Sequence, residues 1–139
     1  MAKASASSAN PPPPRPTDGE LAILRVLWDH GPCTVRQVHQ HLARETAYTT
    51  ALKLLQIMTD KGLVRREESA APARSHIYAA AQPAQTTQRQ LLKNLLDKAF
   101  AGSSAALVLQ ALSAKRATPE ELQQIRKLLD QHAKKGDKP

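Results

Sequence analysis

Four polar side chains fall close together in the middle of the chain: Thr49, Thr50, Lys53 and Gln56. Their types suit the reading of duplex nucleic acid. Threonine offers a hydroxyl to phosphate or base and a methyl to thymine. Lysine reaches guanine or phosphate, and glutamine pairs bidentately with adenine. At this spacing they line one face of a helix. An ordinary solvated helix face looks the same, so the residues alone leave both readings open. Arg74 and His76 have the types that touch phosphate, and solvated hairpin residues again look alike.

Other chemistry finds little support. Cys33 is the only cysteine, so no intrachain disulfide can form, which fits a reducing compartment. No His/Cys cluster accompanies it to suggest a redox switch. His39 and His41 are two apart and point to different sides of a helix, whereas ligands to one metal need a spacing of three or four. No metal and no cofactor are expected. A Gly-rich phosphate loop and a Gly-x-Ser-x-Gly elbow are both missing, and no enzyme reading survives.

The polar cluster needs elements to present it. Thr17 and Glu20 form a capping box ahead of Leu21, Leu24, Leu27 and Trp28 at helical spacing. Trp28 on that stripe reads as core. Gly31 and Pro32 end this helix. A second box, Thr34 to Gln37, opens a helix with Val35, Val38 and Leu42 on its apolar stripe, expected to end near Arg44. Tyr48 to Lys61 is the third helix, with Ala51, Leu54, Leu55 and Met58 inward and Gly62 as its left-handed stop. The period then changes. Leu63 to Glu67 and Ser75 to Ala80 read as a hairpin whose tip, Glu68 to Arg74, is mobile. Helix, helix, helix, hairpin is the order of a winged helix-turn-helix, here residues 17–82. Its third helix would enter the major groove and its hairpin would lie on the backbone.

Beyond Pro83 the pattern is helical again, over about Gln85 to Ala101, Ser103 to Lys115, and from Thr118-Pro119-Glu120-Glu121 onward. The middle helix of the three is unusually apolar. Fifty residues in three helices make a thin domain alone, so such a segment is better buried against a second subunit. Leu95, Leu107, Val108, Leu109, Leu112, Leu122, Ile125 and Leu129 are the candidates for that interface. The fold class expected is mainly α with a small β-hairpin. Residues 1–16 form a disordered Pro/Ala/Ser leader, 83–132 a three-helix dimerisation region, and 133–139 a basic, frayed tail.

Charge agrees only in part. The net charge is +8, yet residues 17–82 carry eight bases against seven acids. From 36 to 82 the balance is seven against four, so a basic face belongs to the second half of the module. With four aromatic residues, Trp28, Tyr48, Tyr78 and Phe100, base stacking on single strands is not expected. No stretch approaches the roughly 18–20 apolar residues of a membrane span, and residues 1–16 lack a signal-peptide core, so a cytoplasmic location is expected.

Three segments carry a resemblance: PTDGELAILRVLWDHGPCTVRQVHQHL (16–42), AYTTALKLLQIMTDKGLVRRE (47–67) and SHIYAA (75–80). In order and spacing they resemble the penicillinase repressors of BlaI/MecI type and their copper-responsive CopY relatives. The later Gly-Ser and Thr-Pro-Glu-Glu-Leu patterns also look like that family's dimerisation region. The resemblance spans about Pro16 to His132. It implies a repressor that occupies dyad-symmetric operators as a homodimer, with arms similar to TACA and TGTA. It also implies that Thr50, with Tyr48, Thr49 and Lys53, meets DNA. Some relatives have a basic residue at the position of Ile57 and a threonine at that of Lys53, so base preference is expected to differ. A membrane sensor-protease cuts an Asn-Phe bond in the β-lactam-responsive members, and Gln110-Ala111 stands there instead. The Cys-x-Cys pairs of the copper-responsive members are missing. A winged-helix protein-interaction module and a histone-like, non-specific DNA-binding protein remain as alternatives.

Overall fold

The computed structural model describes residues 15–68 and 76–136. Residues 1–14 of the leader, the hairpin tip with Arg74 and Ser75, and residues 137–139 lie outside the described residues. The elements are α1 (Asp18–His30), α2 (Val35–His41), α3 (Tyr48–Lys61), β1 (Val64–Glu68), β2 (His76–Ala80), α4 (Ala84–Ala99), α5 (Ser104–Ala114) and α6 (Pro119–Gly136). The chain divides into two compact units, Met1–Leu91 and Leu92–Pro139.

In the first unit, local chemistry sets where the helices begin. The Thr17 side chain accepts from the Glu20 N–H while Glu20 accepts from the Thr17 N–H, and Thr34 with Gln37 repeats the arrangement for α2. Each box satisfies two amides that a helix start leaves without partners. Gly62 ends α3 at φ +83°, a left-handed conformation that glycine adopts without a Cβ clash. Its N–H and that of Leu63 turn back to the last carbonyls of the helix, and the chain enters β1 at once.

The three helices enclose one core. Ile23, Leu24 and Leu27 from α1, Val38 from α2, and Leu55 and Met58 from α3 are buried with Leu63, Val64 and Tyr78. Each such side chain removed from water contributes about 1.5–3 kcal/mol. β1 and β2 pair antiparallel, with Val64 opposite Ala80 and Glu68 opposite His76. Cys33, between α1 and α2, exchanges both backbone hydrogen bonds with Tyr78, at 2.9 and 2.7 Å, and ties the hairpin to the helices. Three helices followed by this hairpin form a winged helix.

Several boundaries differ from the sequence expectation. α2 stops at His41, not Arg44, because Leu42 turns extended and packs its side chain against the core. α4 stops at Ala99, not Ala101, since Ala101 and Gly102 both take positive φ. β1 runs Val64–Glu68 rather than Leu63–Glu67, and α6 continues to Gly136 where a frayed tail was expected from Ala133. Leu54, expected to be buried, is half-buried.

The second unit contains the last turns of α4 with α5 and α6. Ser103 caps α5 by accepting from the Ala106 N–H, and Thr118 with Glu121 forms a third capping box before α6. No described residue of this unit is fully buried. Its leucines are open instead, Leu109 at 66% and Leu129 at 60% exposure. Among the described residues no single helix is long and apolar enough to cross a membrane.

Candidate nucleic-acid interface

α3 is two-faced. Ala51, Leu55 and Met58 are buried, and Tyr48, Thr49, Thr50, Lys53 and Gln56 are exposed. The side chains singled out by type therefore occupy one open helix surface. Ala47 precedes α3 and supplies no side-chain cap. The first amides of the helix are left for water or an anion, with the positive end of the helix dipole behind them.

The start of α3 is held from α2. A carbonyl oxygen can only accept, so His39 carries its proton on Nε2 and donates to Thr46 O at 2.9 Å. The same ring stands edge-on to Tyr48, with centroids 5.8 Å apart. His41 faces elsewhere and stacks on His30, at 3.9 Å between centroids. The spacing of His39 and His41 anticipated their divergence, but nothing in it revealed these partners.

The end of α3 is held from α1. Lys61 Nζ donates to both carboxylate oxygens of Glu20, each at 2.9 Å. Glu20 is 2% exposed and Lys61 28%. Burial alone would raise the Glu20 pKa, but the Lys61 hydrogen bonds, the Thr17 N–H and the Lys61 charge together bring it below its ordinary value. Sequence reasoning found Glu20 as a capping residue and missed its second role, because Lys61 is 41 positions away.

His76 is exposed at the start of β2, and Arg74 lies outside the described residues. The eight candidate interface residues belong to a different region. Leu95 is on α4, Leu107, Val108, Leu109 and Leu112 on α5, and Leu122, Ile125 and Leu129 on α6. Leu107, Leu112 and Ile125 are half-buried and the others exposed. Trp28 packs against the core as expected, and its Nε1–H donates to Gln82 O at 3.0 Å. Burial pushes the Cys33 thiol pKa up, and the thiol donates to Gly31 O at 3.2 Å. Among the described residues no group of three or more His, Cys, Asp or Glu could hold a metal.

No curated protein sequence matches this chain. Among solved structures it is similar to the transcriptional regulator Tm0710 from Thermotoga maritima, at 14% identity and a TM-score of 0.52, covering 88% of this chain and 80% of that one. It is also similar to the YusO protein from Bacillus subtilis, at 18% identity and a TM-score of 0.52, covering 85% and 74%. At such identities the likeness concerns the fold, and it agrees with the winged helix described above. The family model described as penicillinase repressor matches residues 16–131, which takes in both the open face of α3 and the apolar helices after it. By that match the chain belongs to the penicillinase repressor family, and it is a DNA-binding transcriptional regulator rather than an enzyme.

Proposed function

We propose that the protein represses transcription by occupying a dyad-symmetric operator as a homodimer. In this reading α3 enters the major groove and the β1–β2 hairpin runs along the sugar-phosphate backbone. The observation that carries it is the open face of α3, where Thr49, Thr50, Lys53 and Gln56 stand opposite the buried Ala51, Leu55 and Met58. Thr49 and Thr50, next to the uncapped amides of the helix start, suit a phosphate contact. Lys53 and Gln56, further along, suit base edges. Tyr48 joins them, His76 at the start of β2 suits a phosphate contact, and Arg74, outside the described residues, has a type that suits one too.

Dimerisation follows from the second unit. Leu95, Val108, Leu109, Leu122 and Leu129 are exposed there, and Leu107, Leu112 and Ile125 extend the same apolar set. A two-fold pair brings two α3 helices to half-sites about one helical turn apart. Release by a membrane sensor-protease would require cleavage at a bond other than the family's Asn-Phe pair, since Gln110-Ala111 occupies that place.

A mobility-shift titration on DNA from the protein's own promoter, with unrelated duplex as competitor at two salt concentrations, tests the reading. Competitor-resistant binding that saturates at two chains per site is expected. Equal competition by any duplex would replace it with histone-like binding, and no binding to either would point to a protein partner.

A further inference from the structure

We infer that a groove on the side of the winged helix binds a small amphipathic carboxylate, one with an aromatic or alicyclic ring and a single negative charge. The groove is shallow and open to solvent, with about 550 Å³ of accessible space. Leu27, Trp28 and Pro32 form one wall, and the chain from Ala79 through Ala84 forms the other. Arg65 of β1 is the only charged side chain lining it.

Each part of this lining selects for one part of the ligand. The Trp28 N–H is already satisfied by Gln82 O, so what the half-buried indole offers a guest is its ring. An aromatic or alicyclic body can pack on that surface and on the apolar wall beside it. Arg65 lies opposite Ala79 in the sheet, so no charged side chain neighbours it across the pair. It is exposed, and no ion pair to it occurs among the described residues. A guanidinium in that position has its planar fork of donors available for a carboxylate, which it binds bidentately. One cation beside a groove whose other lining residues are uncharged, Gln82 the polar one among them, selects one anionic group on a largely apolar molecule. No residue of α3 lines the groove, so occupancy does not depend on the DNA-binding reading.

The chain supplies its own reporter, because Trp28 is its only tryptophan. We would titrate the full-length protein, without DNA, with 4-phenylbutyrate and with its neutral amide, 4-phenylbutyramide. Trp28 emission and calorimetry would be read in parallel, so that a guest without effect on emission is still detected. The acid is expected to give saturable binding at least fivefold tighter than the amide. Arg65→Gln should remove that preference while leaving the amide's binding and the thermal melt unchanged. No saturable binding of the acid by either readout would overturn the proposal. Equal affinity of acid and amide, or full preference retained in Arg65→Gln, would also overturn it.

Discussion

Lys61, the last residue of α3, places its amine 2.9 Å from both carboxylate oxygens of Glu20 in the first turn of α1. Glu20 at the same time accepts the Thr17 N–H. One buried carboxylate thus serves a helix cap and a link between helices. Both ends of α3 are fastened, Tyr48 through His39 and Lys61 through Glu20, while the face between them stays open.

Lys61→Met should be costly, because it leaves the Glu20 charge buried without its main partner. About 2–3 kcal/mol is expected, below the 3–5 of a fully buried pair since the Lys61 side chain is 28% exposed. The pair also makes stability depend on pH. The folded pKa of Glu20 is below its unfolded value, so as pH falls the unfolded chain takes up the proton first. The contribution is present above the ordinary carboxylate pKa of about 4.3 and is lost as pH drops through the lower folded value. Urea unfolding of wild type and Glu20→Gln from pH 7 to pH 3 should show the difference between them shrinking on the acid side. A constant difference would refute the linkage.

His39→Ala should loosen the start of α3, removing the bond to Thr46 O and the edge against Tyr48. A stability loss of about 0.5–1.5 kcal/mol is expected, with weaker operator binding. His39→Gln keeps a donor for the Thr46 carbonyl and should recover much of the stability. If stability falls equally in both variants, the hydrogen bond is not what holds the turn.

Lys53→Ala should weaken operator binding by about 1–3 kcal/mol and relax preference at one base position if Lys53 reads a base. If it contacts phosphate instead, affinity should fall evenly across sequences and the salt slope should drop by about one. A footprint and affinity unchanged from wild type would remove Lys53 from the interface.

Cys33 should behave as a core residue. Its side chain is buried, its thiol donates to Gly31 O, and burial pushes its pKa up, so thiolate is scarce at neutral pH. Labelling by a thiol-specific disulfide reagent should be slow in the native protein and fast in guanidinium. Rapid native labelling would reopen a redox role.

What could be read in advance follows the range of each interaction. Thr17, Glu20, Thr34 and Gln37 act within three positions, so both capping boxes were legible in the sequence. The limits of α3 were equally legible, since Gly62 punctuates its end and its apolar residues recur at helical spacing. The fasteners were not. His39 to Thr46, Cys33 to Tyr78 and Lys61 to Glu20 depend on where the chain returns, and no local pattern encodes that. The early stop of α2 has the same origin, because Leu42 leaves the helix to meet the core. For the candidate site, residue types on α3 could be listed from the sequence, but their common exposure required the packing of α1 and α2 behind them.

Leu109→Asp tests the dimer. Leu109 is on α5 and is 66% exposed within one chain, so a carboxylate there disturbs no buried contact of the isolated protomer. In a dimer that covers this face, the same carboxylate would be buried without a partner, at a cost of several kcal/mol. At about 1.4 kcal/mol per tenfold, a penalty of about 3 kcal/mol raises the dimer Kd by roughly a hundredfold. Sedimentation velocity should therefore show the variant as a monomer where wild type is a dimer. Its far-UV circular dichroism should stay close to wild type, because the core of Ile23, Leu24, Leu55 and Met58 is untouched. Operator binding should weaken as well, since two half-sites would be engaged by separate chains. A variant that remains dimeric would move the interface away from α5. One that loses its helical signal would mean instead that the winged-helix unit does not hold its fold without the dimer.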